Sequence, residues 1–274
     1  MTDRTVRSVL VACLLAASAG AQSARQASGP TLLREAAGGP KPRIIIEPPL
    51  AAPLSFGTAV VGYQTRGLQV APVFGPAALA VSPRVGHVHV SVDDAPWVWA
   101  NTSGQPVIVR GLLPGRHKVV MQLVNASHQP LDRGAVEFTV PERVKAPVEA
   151  ATRAAPVDAA RTQPAAKLFI DSPLPEPLSR GVIIIPYRTE NVQLVPVFGP
   201  QALALSPRVG HLRVTVDDTP WHWLDGSGNA VIVAGLSPGA HKILLHLSNA
   251  NHEPVDAGVV QVTVPTPRPL PPAQ

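Results

Sequence analysis

The stretch GHVHVSVDDAPWVW, residues 86–99, decides the fold. Val88, Val90 and Val92 fall on one side of an extended chain, and His87, His89 and Ser91 on the other. Asp93-Asp94 then reads as a turn, and Trp97 and Trp99 lie two apart, on one side of the segment that follows. The stretch returns as GHLRVTVDDTPWHW at 210–223, with Leu212, Val214 and Val216 in the places of the valines. Alternation of period two, bounded by turn residues, marks half-buried strands.

Outward from that stretch the whole unit is written twice. PVFGP at 72–76 recurs at 196–200, SPRVGH at 82–87 recurs at 206–211, and the NA-x-H-x-P-x-D run at 125–132 recurs at 249–256. The match is gapless from Ile44–Pro141 to Leu168–Pro265, with roughly half the positions identical, so the unit is duplicated. In each copy the strand after a Pro-Gly turn places His117, Val119, Met121 and Leu123, or His241, Ile243, Leu245 and Leu247, on a core side. About seven short strands per copy, punctuated every 8–12 residues, is the pattern of an immunoglobulin-like sandwich. The 32 prolines in 274 residues argue against a helical body, and only Ala77–Val81 reads as a helical turn.

The sequence therefore predicts an all-β protein: two tandem immunoglobulin-like β-sandwich domains joined by a Pro/Ala-rich linker. The expected divisions are a signal peptide at 1–21, a flexible segment at 22–42, sandwich repeat 1 at 43–141, a linker at 142–167, sandwich repeat 2 at 168–265 and a Pro-rich tail at 266–274. A gapless copy on a tether suggests two separate folded beads rather than one fused core.

The run from GHVHVSVDDAPWVW through PVIVRGLLPGRHK to NASHQPLD resembles a family of bacterial secreted domains of unknown function. The resemblance covers both copies but not the linkers. It implies an exported sandwich domain and brings no activity with it. The second copy departs at Arg213, where the first has His89.

Arg4 and Arg7, the short apolar run Val9–Ala17 and Ala19-Gly20-Ala21 together read as a secretory signal peptide cut after Ala21. A competing reading takes Leu10-Val11-Ala12-Cys13 as a lipoprotein processing box. No later apolar run approaches the ~20 residues of a membrane-spanning helix, so no transmembrane segment is expected after cleavage. The expected location is periplasmic or secreted, in a bacterium. Cys13 is the single cysteine, which excludes a disulfide scaffold and a cysteine-based zinc site.

Histidine is then the residue for a metal. Positions 87/211, 117/241 and 128/252 hold it in both copies. His117 begins a strand and His128 follows its end, about 20 Å or more away, so those three do not converge. A smaller set does: His87, His89 and His128 in copy one, with His211 and His252 in copy two, arranged for copper or zinc at the surface. Arg213 breaks the set in copy two, because a guanidinium has no lone pair to give a metal. The bland reading makes His128 and His252 loop hydrogen-bonders, and His117 and His241 core residues. Trp97, Trp99, Trp221 and Trp223 form either an aromatic platform for sugar or peptide, or the filling of the sandwich core.

No G-x-S-x-G, phosphate-binding loop, H-E-x-x-H or G-x-G-x-x-G occurs, and no nucleophile sits with a base, so the chain is expected not to be an enzyme. Copy one carries six basic and five acidic residues, and copy two five and eight. Neither has the clustered basic composition of a nucleic-acid binder. The expected function is an exported, non-catalytic binding or structural module of the bacterial envelope, with no resident cofactor and with an envelope protein or polysaccharide as partner. The alternatives are a periplasmic copper or zinc binder using the histidines, and a carbohydrate-binding or enzyme-accessory domain using the tryptophans.

Overall fold

The structure, a computed structural model, describes residues 39–142, 164–196, 206 and 208–266. The expected signal peptide, and most of the expected N-terminal segment, linker and tail, lie outside the described residues. Copy one contains β1 (Arg43–Ile46), β2 (Thr58–Val61), β3 (Tyr63–Arg66), β4 (Gln69–Val70), β5 (Val85–Val92), β6 (Val98–Asn101), β7 (Val107–Arg110), β8 (Gly115–Asn125) and β9 (Pro130–Val140). Copy two repeats them as β10 (Lys167–Ile170), β11 (Val182–Ile185), β12 (Tyr187–Glu190), β13 (Gln193–Leu194), β14 (Val209–Val216), β15 (His222–Asp225), β16 (Val231–Ala234), β17 (Gly239–Asn249) and β18 (Pro254–Val264). Three short helices, α1 (Ala51–Leu54), α2 (Pro76–Val81) and α3 (Pro175–Leu178), are the helical content of the described residues. The all-β expectation holds, and none of these helices is long and apolar enough to cross a membrane.

Strands β1-β3 and β10-β12 pair as two separate two-stranded sheets. The other fourteen form two seven-stranded sheets, each drawing on both copies. One runs β11-β16-β6-β5-β8-β9 with β4 alongside β5; the other runs β18-β17-β14-β15-β7-β2 with β13 alongside β14. The copies thus exchange a pair of strands. Copy one's β7 lies against copy two's β15, with Val109 opposite Trp223 and Arg110 opposite His222. Copy two's β16 lies against copy one's β6 in the equivalent way, with Val233 opposite Trp99. Glycine permits the crossing. Gly111 and Gly235 hold φ of 84° and 83°, and a Cβ would meet the carbonyl oxygens of Pro220 and Pro96 at 2.7 and 2.9 Å.

This corrects the expectation of two separate beads. A copy by itself puts only β2 and β7 opposite its larger group of strands, which is too little surface to cover the apolar side of β5, β6 and β8. The other copy supplies the remainder, and a single interior results. Val88, Val90, Met121 and Leu123 share it with Leu212, Val214, Leu245 and Leu247. The four indoles meet at its centre: Trp99 stacks on Trp223 at 4.9 Å and 9°, and Trp97 on Trp221 at 5.4 Å and 24°. They are only 3–7% exposed. The aromatic-platform reading of Trp97, Trp99, Trp221 and Trp223 is therefore corrected: these side chains are the core, because a stacked indole quartet removes a large apolar area from water.

Candidate functional site

The outer side of β5 carries His87 and His89, two residues apart and so aimed the same way. β5 pairs antiparallel with β8, Gly86 opposite Asn125 and His87 opposite Val124, so the loop after β8 comes back over the histidines. Gly86 sits where that loop begins. A Cβ there would fall 1.9 Å from the Val124 carbonyl oxygen. Asn125 shapes the loop: its Oδ1 accepts the amides of Ser127 (2.9 Å) and Gln129 (3.0 Å). The His128 amide donates to the Asn125 carbonyl, and His128 takes a left-handed φ of 61°. That conformation is uncommon for a residue with a Cβ, and it turns the imidazole onto β5.

Three ring nitrogens converge as a result. His87 Nε2 and His89 Nε2 are 3.1 Å apart, and His89 Nε2 and His128 Nδ1 are 3.2 Å apart. Among the described residues this is the group of three side chains whose ligand atoms all lie within 4.8 Å of one another. Hydrogen bonding serves it poorly, since one proton on His89 Nε2 cannot satisfy both neighbours and still leave a lone pair to accept. A metal ion takes all three lone pairs at once. With Zn–N bonds of ~2.0–2.1 Å, tetrahedral ligand nitrogens stand about 3.3 Å apart, close to the 3.1 and 3.2 Å that separate His89 Nε2 from its two neighbours.

The surroundings keep the imidazoles neutral. His87 is fully buried, and burial, reinforced by His89 and His128, pushes its pKa down to about 2. Burial and then His128 bring His89 down to about 4. His128 is lowered by burial and by Arg180 of copy two, whose charge is itself paired with Glu176 at 2.7 Å. Phe74, from the PVFGP segment, roofs the group, its ring 4.9 Å from that of His87 and 6.0 Å from that of His128. The site is thus semi-enclosed, which corrects the expectation of a surface site. His87 Nδ1 is buried without a hydrogen-bond partner among the described residues, so the acceptor that usually fixes a metal-bound imidazole is lacking there.

Copy two builds the same loop to a different end. His252 has φ of 66°, and its Nδ1 lies 3.0 Å from His211 Nε2. Arg213 stands where His89 does and donates from Nε to His222 Nε2 at 3.2 Å. Opposite Arg213 on β17 is His246, and opposite His222 on β7 is Arg110. His211 and His252 thus pair without a third imidazole ligand arranged as in copy one.

The remaining candidates are structural. His117 and His241 lie at the rim rather than in the core: Nδ1 faces Asp93 at 2.8 Å or Asp217 at 2.9 Å, and Nε2 faces the carbonyl oxygen of Leu113 or Ser237. The Asp93-Asp94 pair makes a turn with φ of 52° and 57°. Asp93 Oδ1 accepts the Lys118 amide, and Asp94 pairs with the Lys118 ammonium. Sequence reasoning missed Phe74, although PVFGP stands in both copies, and missed Arg110, which reaches its cluster from the other copy.

Among solved structures, the chain is similar to one described as a tetra-tandem repeat in the extending region of a large adhesion protein. Identity is 10%, with a TM-score of 0.24, over 82% of this chain and 49% of that one. The chain spans about half the length of that structure, and a likeness so distant carries no argument about fold or function. No curated protein matches the sequence. A family model described as a family of unknown function, DUF6130, matches residues 1–152 and again 145–272, and the chain belongs to that family with its unit present twice.

Proposed function

We propose that this protein is an exported, non-catalytic binding module that holds one zinc or copper ion on the outer face of its first-copy sheet, through His87, His89 and His128. The observation that carries the reading is the convergence of three neutral imidazole nitrogens at 3.1 and 3.2 Å. Imidazole suits both metals, and a cysteine-free mature chain has no thiolate to offer. Among the described residues, the groups acting on the trio are the histidines themselves and Arg180, with no carboxylate placed as a general base, which favours holding a metal over performing hydrolysis on it. Phe74 limits access of water. Export rests on the pattern of residues 1–21, and the partner in this reading is an envelope protein or polysaccharide.

Calorimetric titration of the metal-free mature protein with Zn²⁺ and Cu²⁺ tests this. One equivalent per chain is expected, with binding lost in His89→Ala and in His128→Ala. Two equivalents of equal affinity, or binding unchanged in both variants, would overturn the proposal.

A further inference from the structure

The outer face of the second sheet carries a row of basic side chains that the metal reading does not use. Arg110 on β7, His222 on β15, Arg213 on β14 and His246 on β17 lie on four neighbouring strands, connected by the registers Arg110–His222 and Arg213–His246 and by the Arg213–His222 hydrogen bond. All four are partly buried on the side opposite the tryptophan core. No carboxylate among the described residues pairs with Arg110 or Arg213, although copy two as a whole is the more acidic half. Two half-buried guanidiniums so near each other repel: burial and the charge of Arg213 together lower the proton affinity of Arg110. A group of opposite sign seated between two such guanidiniums would offset that repulsion.

We propose that this face binds a small oxyanion, a carboxylate or phosphate group, between Arg110 and Arg213. Arg213 spends Nε on His222 Nε2 and keeps its two terminal nitrogens for the ligand. With Nε2 accepting, a neutral His222 carries its proton on Nδ1. The planar guanidinium matches two oxygens at once, which is the geometry of carboxylate and phosphate recognition. A second observation points the same way. Ser248, opposite His211 on the same face, is fully buried, and its hydroxyl has no hydrogen-bond partner among the described residues. The equivalent positions in the first sheet are Ala234, Val98, His89, Gln122 and Val124. None of these is a cation at neutral pH, so the anion site belongs to one face only.

The test is a titration of the full mature protein with orthophosphate and, separately, with acetate, against sodium chloride at matched ionic strength, followed by calorimetry and by thermal unfolding. Orthophosphate or acetate is expected to bind and to raise Tm where chloride does not, and the stronger of the two names the ligand class. Arg110→Gln and Arg213→Gln should each weaken binding about 10- to 100-fold, the cost of one charge-assisted contact. Both should fold without anion at least as stably as the parent, because each removes repulsion. Arg133→Gln, at an exposed arginine on β9, should leave binding unchanged. Equal response to all three salts, or unchanged affinity in both variants, would overturn the proposal. The metal reading stands or falls separately, since its ligands lie on the other sheet.

Discussion

The inner and outer sides of this molecule have diverged to different degrees. Inside, the copies remain near-equivalent: Trp99 meets Trp223, Trp97 meets Trp221, and the valines of β5 face the leucine and valines of β14 across one interior. Outside, the same backbone carries His89 against Arg213, Gln122 against His246, Val98 against His222 and Ala234 against Arg110. The difference has a physical cause. An inner side chain in one copy packs against its own counterpart in the other, so a change in either is felt by both. An outer side chain faces the solvent side of its own sheet and is free to change alone. Exchange of β7 and β16 therefore holds the core alike while it lets two sites of different chemistry form.

The strongest way to break this comparison is to remove the partner. The fragment 39–142 retains β2 and β7 but loses the strands that complete both sheets, leaving Trp97 and Trp99 without their stacks. It should be unfolded, or should form a homodimer in which two identical copies exchange β2 and β7. Size-exclusion chromatography with light scattering and tryptophan emission distinguishes these states, and a folded monomer with shielded indoles would refute a shared core. In the full chain, Trp99→Ala and Trp223→Ala should each cost about 3–5 kcal/mol in urea unfolding. Their near-equality is the measure of inner symmetry.

The outer asymmetry is sharpened by exchanging one residue. His89→Arg should abolish metal binding in the first sheet, a loss beyond the roughly 10- to 100-fold that follows removal of an outer hydrogen-bond partner. Arg213→His should let the His211–His252 pair acquire a third imidazole, so that the chain takes up a second equivalent of zinc or copper. Calorimetric stoichiometry reads both. If Arg213→His gains no metal, the two loops differ in more than this residue.

How much of this was legible in the sequence depends on range. Period-two alternation placed Val88, Val90 and Val92 inward and His87 and His89 outward, because side-chain direction in a strand is a local property. The return of His128 toward His87 followed from one antiparallel pairing of β5 with β8. The exchange of strands was not legible. Val107–Arg110 reads as the same strand whether it pairs within its own copy or with β15, and the short loop from β6 to β7 gives no sign of which sheet comes next. Burial of His87 was hidden likewise: Leu68–Phe74 reads as one strand, but β4 ends at Val70, and Phe74 covers His87 from the segment beyond it. The anion cluster was hidden with the exchange, since Arg110 joins it only that way.

The smallest expected effect concerns a pair at the edge of the indole stack. In copy one Tyr63 donates to Asn101 Oδ1 at 3.1 Å. In copy two the same place holds Asp225, and the Tyr187 hydroxyl is buried with no hydrogen-bond partner among the described residues. Burial raises the pKa of Asp225, with the Ser227 amide, which donates to Oδ1 at 2.7 Å, pulling the other way. A carboxyl whose folded-state pKa is raised favours the fold most when protonated. Its contribution is complete below the unfolded value of ~3.9 and is lost as pH rises through the folded value. Asp225→Asn removes that loss and supplies the amide that copy one uses, so it should stabilise the protein by about 1 kcal/mol at pH 7. The gain should shrink as pH falls toward the unfolded value of ~3.9, down to what the tyrosine hydrogen bond contributes, because the parent carboxyl takes up its proton more readily in the fold. Urea midpoints at the two pH values check the sign. A gain independent of pH would trace the difference between the copies to the lost tyrosine hydrogen bond alone, and no gain at pH 7 would show that copy two has already accommodated the charge.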